Sequence, residues 1–297
     1  MSTVLHTQAA EAADGAAAGG SPRRRTVFEA EVRGRWWRFA LMLVITAVVL
    51  VPIAVVAVLA FTPGATSTTT GFTLENFTNV FTQTLASTWL GNSLLVTLVT
   101  VVVSVAVAAP AGYVLSRGRS KAVSGYSLLL FVMQSLPVIT SVVPLFILFA
   151  DLGLADHLLG VIIVYVASTM AVATWMMAAY YDSIPVSLEE ASWIDGCSVF
   201  GSFLRIVLRN SLPGVLSTAI FAFLLAWNDY LVAIVFLRTD VNFTLPIGVE
   251  SFFQQNTTDW GSVMALAVVM MLPPVAVFAT LNRYFSVGGI GGSLAGR

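Results

Sequence analysis

Charged residues are scarce in this sequence. Only 10% of the 297 residues are Asp, Glu, Lys or Arg, whereas 58% are hydrophobic. A soluble domain carries about 25% charged and about 45–50% apolar residues. The composition therefore argues against an ordinary water-soluble enzyme and predicts an integral membrane protein.

Cysteine and lysine are also scarce, with one residue of each, and the chain has no excess of cations. The single cysteine, Cys197, excludes an internal disulfide and a cysteine-built zinc site. Fourteen cationic against fifteen acidic side chains leave no basic excess, so nucleic acid is not an expected partner. Lys121 is the only lysine, and Ala122 follows it where a phosphate-binding P-loop requires Ser or Thr. We therefore expect no ATP site, no metal site, no other cofactor and no enzymatic activity on this chain.

Long apolar runs are the main feature that the sequence does have. A helix needs about 20 apolar residues to cross a hydrocarbon core ~30 Å thick. Six runs reach that length, the fifth continuing past Asp229. They are Phe39–Phe61, Leu90–Leu115, Ala122–Ala150, Leu158–Tyr181, Asn210–Leu237 and Gly261–Asn282. None alternates like a membrane β-strand, so the predicted fold class is an all-α membrane protein with six transmembrane helices.

The pattern also predicts how the chain is organised. Residues 1–34 are rich in small and polar residues and are expected to be a disordered tail. Residues 35–290 are predicted to form the transmembrane domain, and residues 283–297 are predicted to be a short C-terminal tail. Thirteen of the fourteen cations lie before the first span, in the second and fourth connections, or after the sixth span, and only Arg238 lies elsewhere. The positive-inside rule places both termini in the cytoplasm of a bacterial cell, with the chain crossing the cell membrane several times.

The connection between the fourth and fifth spans, residues 182–213, is the longest on the predicted cytoplasmic side. Ser187 and Glu190 have the spacing of a capping box, which predicts that a short helix begins there. Gly196 can supply the left-handed turn that ends it, and a second helix is predicted from Val199. By this pattern alone, residues 182–213 either have a function of their own on the cytoplasmic side or only join two spans.

The same segment resembles the EAA loop of ATP-binding cassette (ABC) importer permeases, roughly E-A-A-x-x-D-G-A, then F-x-x-I, then L-P. The matching residues are Glu190, Ala191, Asp195, Gly196, Phe203, Ile206, Leu208 and Pro213. Ser192 and Cys197 stand where Ala is usual, and Arg209 stands where Pro is usual. Further matches across about residues 35–290 resemble the carbohydrate-uptake branch, and most of all the six-span permease subunit of maltose-type sugar importers.

This resemblance implies a type I ABC importer permease fold and a function as the permease subunit of a binding-protein-dependent sugar importer. It implies several partners: a second homologous permease, two ATPase subunits that bind ATP and Mg²⁺, an extracytoplasmic sugar-binding protein, the sugar and membrane lipid. By family position, a short helix docks in a cleft of the ATPase. The residues that the resemblance assigns to this coupling are Glu190, Ala191, Asp195, Gly196 and Phe203.

The fifth span holds the candidate residues for the substrate pathway. Asp229 is the only acidic residue within a predicted span, and a charge inside a membrane is costly unless it serves a cavity, an ion pair or a pathway. Trp227 and Asn228 precede it and share the candidacy. The alternative is that Asp229 is a structural carboxylate satisfied by a neighbouring helix.

The connection between the fifth and sixth spans, about 238–260, resembles the segment that reaches the sugar-binding protein in maltose-type permeases. Gln254, Gln255 and Asn256 can hydrogen-bond a polyol, which makes them candidates for that contact. A solvated loop with no partner would have a similar composition.

Two other functions are compatible with the composition. An ABC permease for a non-sugar solute would be expected to carry more intramembrane carboxylates or basic residues. A self-sufficient secondary transporter or channel of six helices would be expected to show an internal repeat and buried groups for ion coupling. A single intramembrane carboxylate is thin support for the second of these.

Overall fold

The computed structural model describes residues 23–63, 71–254 and 259–288, and every regular element in those ranges is helical. The helices are α1 (Arg23–Ala60), α2 (Glu75–Gln83), α3 (Ala86–Arg117), α4 (Lys121–Ser135), α5 (Val138–Asp151), α6 (Leu158–Asp182), α7 (Val186–Ile194), α8 (Val199–Asn210), α9 (Leu212–Asn228), α10 (Leu231–Phe236), α11 (Leu245–Ser251) and α12 (Trp260–Gly288). Short 3-10 turns, Asp240–Asn242 and Phe252–Gln254, flank α11. The predicted all-α class is confirmed for the described residues.

The first helix begins earlier than the sequence analysis predicts. Residues 23–34, which we assigned to a disordered tail, are helical, since α1 starts at Arg23. This stretch contains one glycine and no proline, so nothing in it stops a helix. The predictions for residues 1–22 and 289–297 lie outside the described residues. The chain divides at Val55 into two compact units, and the described part of the first is the helix up to that residue.

Four helices, the apolar part of α1 together with α3, α6 and α12, are each long and apolar enough to cross a membrane. Two bent pairs pass the same test: α4 with α5, which meet at 96°, and α8 with α9, which meet at 76°. Counting each pair as one span gives six, the number that hydropathy predicts, but the second pair covers residues 199–228 and not the predicted 210–237.

Proline and a local carboxylate explain where two predicted spans break. The run 122–150 bends at Leu136, whose backbone is extended (φ −79°, ψ 122°), because the following Pro137 disfavours helical geometry at the residue before it. The run 210–237 is not one helix either. Its first helix, α9, ends at Asn228, and the backbone of Asp229 is extended (ψ 127°) before α10 begins.

The centre of the second unit is formed by α3 and α6, which pack along much of their length, with α9 against both. A glycine permits the close approach of the two long helices. A Cβ atom added at Gly112 would lie 2.7 Å from Met177 Cβ and 2.9 Å from backbone atoms of both Thr174 and Ala178.

The two ends of α3 mark the two regions that concern function. Residues 183–211, which contain α7 and α8, contact the Arg117 end of α3 and are called the elbow below. The Trp89 end contacts residues 240–245. The connections before α3 and before α12 are partly helical, because they contain α2 and α11.

Candidate functional site

The first helix of the elbow, α7, begins one residue before Ser187, where the sequence predicts its start. α7 starts at Val186, directly after Pro185, and has no side-chain capping bond. The predicted capping box of Ser187 and Glu190 is therefore wrong. Pro185 takes the N-cap position, which moves Ser187 into the first helical turn, where its hydroxyl cannot cap.

The end of α7 is formed as predicted. Gly196 has φ +89°, the left-handed conformation that favours glycine. Its N–H donates to the Trp193 carbonyl at 3.0 Å, and the N–H of Cys197 donates to the Ser192 carbonyl at 2.9 Å. These two bonds are those of a Schellman motif, which ends the helix and turns the chain sharply into α8.

The elbow exposes several apolar side chains. Ile194 is 86% exposed and Phe200 is 68% exposed, and Leu188 and Trp193 are exposed near them along the chain. The predicted coupling residues that are also exposed are Glu190, Ala191, Asp195 and Gly196. We call these eight exposed residues together the elbow face: Leu188, Glu190, Ala191, Trp193, Ile194, Asp195, Gly196 and Phe200. Exposed apolar side chains interspersed with acidic ones are typical of a surface that binds another protein.

Glu189, the neighbour of Glu190, is by contrast buried and only 1% exposed. Its Oε1 accepts a hydrogen bond from Arg117 Nε at 2.8 Å and lies 2.8 Å from Arg117 Nη2. Its Oε2 accepts a bond from Tyr113 Oη at 2.6 Å. Arg117 Nη2 also donates to the Ile184 carbonyl at 3.1 Å. The last turn of α3 therefore holds both α7 and the segment before it.

Phe203, the fifth predicted coupling residue, is buried and does not lie on the elbow face. Its ring centroid lies 4.8 Å from that of Tyr113 and 6.2 Å from that of Tyr181. The two tyrosine rings lie 6.1 Å apart, edge to face. This aromatic cluster anchors α8 to the ends of α3 and α6.

A pair of buried serines joins α7 to α8. Ser192 Oγ lies 2.7 Å from the Glu189 carbonyl oxygen and 2.6 Å from Ser202 Oγ. Because one hydroxyl hydrogen can serve only one of these contacts, Ser202 donates if Ser192 bonds the carbonyl. Ser192, which departs from the usual Ala of the EAA pattern, thus makes a bond that Ala could not make.

Asp229 caps the helix that follows it. Its Oδ1 accepts bonds from the backbone N–H groups of Val232 at 3.0 Å and Ala233 at 3.3 Å, as an N-terminal cap does. Tyr165 Oη of α6 donates to the same oxygen at 2.8 Å. This arrangement is the structural alternative considered from sequence, and the pathway role of Asp229 stays a prediction.

The two residues before Asp229 have different surroundings. Trp227 is 1% exposed, donates from Nε1 to the Met270 carbonyl at 3.1 Å and stacks on Phe223. Asn228 is exposed, and its amide donates to the Leu224 carbonyl at 2.9 Å. The pathway roles of Trp227 and Asn228 stay predictions.

At the opposite end of α3, side chains hold the segment 240–245. Trp89 Nε1, Asn92 Nδ2 and Ser93 Oγ each bond backbone groups of this segment, at 2.7–2.9 Å. The segment is therefore fixed to the bundle, and the alternative of a freely solvated loop does not describe it.

Asp156, in the loop between α5 and α6, holds the same connection at residues 238, 239 and 242. Its Oδ1 accepts bonds from the backbone N–H groups of Arg238 at 2.7 Å and Thr239 at 3.1 Å, and its Oδ2 accepts one from Thr239 Oγ1 at 2.6 Å. Asn242 donates to its carbonyl at 2.6 Å. Burial alone would raise the pKa of Asp156, but these hydrogen bonds outweigh it and lower the pKa to about 2.

Because this pKa is lowered in the folded protein, the ionised Asp156 stabilises the loop pairing at every pH above the unfolded value of about 4, and the stabilisation is lost as pH falls toward 2. We expect Asp156→Asn to lower the thermal unfolding midpoint of the purified protein by the same amount at pH 8 and at pH 5. Below pH 4 the difference from wild type should shrink. Asn tolerates the positive φ of +57° at this position, so the backbone is matched. The exposed Asp151→Asn is the control, and a difference that begins to shrink near pH 6 would contradict the assignment.

The three residues predicted to contact a binding protein cannot be compared with the structure. Gln255 and Asn256 lie outside the described residues, and of Gln254 only the backbone is described, at the end of the turn Phe252–Gln254. Their role stays a prediction.

A cavity of about 420 Å³ lies at the bend between α4 and α5 and is also lined by α6. Its lining is apolar, with Leu136, Phe149 and Ile163 among the larger side chains. The polar side chains on it are Gln134, Ser141 and Ser168. It does not include the predicted pathway residues of α9.

The residues that hold the elbow and the opposite loop were not predicted from the sequence; they are Glu189, Arg117 and Asp156. Glu189 lies about one helical turn before Ser192, and the two form the buried side of α7, but as polar residues they carried no sequence signal of burial. No pattern in the sequence links Glu189 to Arg117, since 72 residues separate them.

Comparisons with known proteins agree with this architecture. The sequence profile of the family described as "binding-protein-dependent transport system inner membrane component" matches residues 108–287. The arabinooligosaccharides transport system permease protein of Halalkalibacterium halodurans is 32% identical over 225 residues, covering 74% of this chain and 80% of the relative. The maltodextrin transport system permease protein of Streptococcus pneumoniae is 28% identical over 250 residues, covering 82% and 89%.

A solved structure shares the fold. It is that of a bacterial ABC transporter involved in the import of the acidic polysaccharide alginate. The match has a TM-score of 0.69 at 20% identity and covers 89% of this chain and 98% of that one. The predicted permease fold is thereby confirmed.

Proposed function

This chain belongs to the family of binding-protein-dependent transport system inner membrane components, and from that premise we propose that it forms half of the translocation pathway of a sugar importer. Two relatives are named as permeases for arabinooligosaccharides and maltodextrin, which supports a sugar as the solute class. Both are transport subunits and not enzymes. A second, homologous permease subunit completes the pathway.

The elbow face is the observation that carries the coupling role. A nine-residue helix presents Ile194 and Glu190 to the outside while Glu189 and Ser192 are buried beneath it. We place this face in a cleft of the partner ATPase, where the apolar side chains are desolvated and Glu190 meets a cation. Closure of two ATPases would then push on the elbow and alter the pathway.

ATP and Mg²⁺ bind to those partner subunits in this proposal. The only lysine of the chain, Lys121, begins α4 and is followed by Ala122, so it does not form a phosphate-binding P-loop. The elbow side faces the cytoplasm, because Arg117, Arg119 and Lys121 lie at that end of the bundle. The opposite end, with segment 240–245, faces the sugar-binding protein.

Co-purification tests this assembly. When the tagged chain is solubilised in mild detergent with its natural partners co-expressed, we expect mass spectrometry to find an ABC ATPase and a second permease in stoichiometric amounts. The binding protein should join when its solute and a trapped nucleotide are present. Recovery of a lone homomer that transports solute in liposomes would contradict the proposal and support a self-sufficient transporter.

The solute class needs a separate measurement. Uptake of labelled oligosaccharides, a polyamine and phosphate should be compared in cells with and without the gene for this chain. We expect only an oligosaccharide or another sugar to depend on it. Dependence of polyamine or phosphate uptake would overturn the sugar assignment while leaving the importer assembly intact.

A further inference from the structure

We infer that the Glu189–Arg117 ion pair makes α7 and the end of α3 a single moving body, so that α3 carries the motion of the elbow into the bundle. This inference rests on the coupling function proposed above. Arg117 and Glu189 are positioning residues in it, since neither lies on the elbow face.

The first observation is the burial of a charge. Glu189 is the one fully buried charged side chain in the part of the chain that the structure describes. Charges are removed from water at a high cost, and the cost is offset only when geometry and hydrogen bonding are good. Here both carboxylate oxygens are bonded, by Arg117 at 2.8 Å and by Tyr113 at 2.6 Å. Both donors come from α3, which is not adjacent to the elbow in the chain.

The second observation is the reach of Arg117. One guanidinium bonds Glu189 on α7 and the carbonyl of Ile184 in the junction before α7. Its Nη1 donates to Ser116 Oγ at 3.1 Å, and Ser116 in turn donates to Asp182 at the end of α6. The ends of α3, α6 and α7 thus share one continuous hydrogen-bond network.

The third observation concerns the orientation of α7 about its own axis. Successive residues of a helix are rotated by about 100°, so fixing Glu189 inward fixes Glu190 and Ile194 outward. α7 has no side-chain cap at its start. Together with the buried Ser192–Ser202 contact, the ion pair sets which residues the elbow presents to the ATPase.

The functional test uses the whole transporter in liposomes, with its ATPases, second permease and binding protein. Glu189→Gln and Arg117→Gln each leave a partner unpaired in a buried site, so we expect solute transported per ATP hydrolysed to fall by roughly tenfold or more. Arg117→Lys keeps the charge and should recover part of the ratio. Arg119→Gln is the matched control, because Arg119 is an exposed arginine two residues away, and it should keep the wild-type ratio. If the Gln variants assemble less but retain that ratio, the ion pair is only structural and the inference fails.

A distance measurement tests the same inference without disrupting the pair. Nitroxide labels are placed at Arg119→Cys and Ser187→Cys, two exposed positions, after Cys197→Ser removes the native thiol. We expect the same distance in the nucleotide-free and ATP-trapped transporter. A distance that changes between the two states overturns the inference but leaves coupling through the elbow intact. Normal uptake by Glu190→Lys would instead overturn the coupling function itself, so the two failures can be told apart.

Discussion

Glu190→Lys is expected to abolish solute uptake while the permease still accumulates in the membrane. Glu190 is exposed on the elbow face, and its side chain makes no contribution to the buried network of Glu189. Folding should therefore tolerate the change. In the docked state the lysine would face the ATPase cation that we pair with Glu190, and placing like charges together costs several kcal/mol. A loss of about 3 kcal/mol corresponds to roughly a hundredfold loss of affinity for the ATPase.

Two measurements check this result in cells. Uptake of the labelled solute should fall to the level of a strain without the gene, and a membrane blot should show the wild-type amount of permease. Asp151→Lys makes the same charge reversal on an exposed carboxylate at the opposite end of the bundle, and it should leave uptake unchanged. Normal uptake by Glu190→Lys would remove the elbow face from the coupling mechanism.

Hydropathy located the apolar segments well but did not describe their geometry. Six runs were predicted, and the described helices supply four continuous spans and two bent pairs. The 96° bend at Leu136 was not predicted, because a hydropathy average contains no direction. Pro137 was visible in the sequence. Prolines also lie inside α3 and α12 without interrupting those helices, so proline alone does not identify a bend.

The elbow shows a different limit of the sequence. Its two helices and the turn at Gly196 follow from local rules, and the structure has them. Local rules do not show that Glu189 is buried and Glu190 is exposed. Adjacent acids on a helix point about 100° apart, and only the partner supplied by α3 decides which of them is buried. Phe203 illustrates the same limit, since its place in the family pattern does not reveal that it packs against Tyr113 and Tyr181.

The opposite end was the least predictable region. Asp156 sits in a short loop, and its partners Arg238 and Thr239 lie more than 80 residues later in the chain. From its polar composition, the connection 238–260 could also have been a solvated loop with no partner. The hydrogen bonds instead satisfy backbone groups of both loops, so the polar residues serve a fixed structure.

Gly112→Val is expected to prevent the transmembrane helices from packing, and with it the accumulation of folded protein. The Cβ atom alone would lie 2.9 Å from the carbonyl oxygen of Thr174 and from the backbone nitrogen of Ala178. Backbone atoms of α6 cannot move aside as a flexible side chain can, so α3 and α6 must separate. Overpacking costs about 1–3 kcal/mol where side chains can adjust, and here we expect the upper end or more. Separation would also stretch the 2.7 Å contact between Ser104 and Thr169.

Gly91→Val on the same helix is the matched control, since an added Cβ at Gly91 meets nothing within 4 Å. Both substitutions remove a glycine from α3, and valine is slightly the better helix former, so helix propensity alone would stabilise both variants by a few tenths of a kcal/mol. The two should therefore differ in sign. Gly91→Val should match or exceed the thermal midpoint of wild type in detergent. Gly112→Val should yield little monodisperse protein by size-exclusion chromatography, with a lower midpoint in what remains. Equal midpoints would mean that α3 and α6 are not held at contact distance by Gly112.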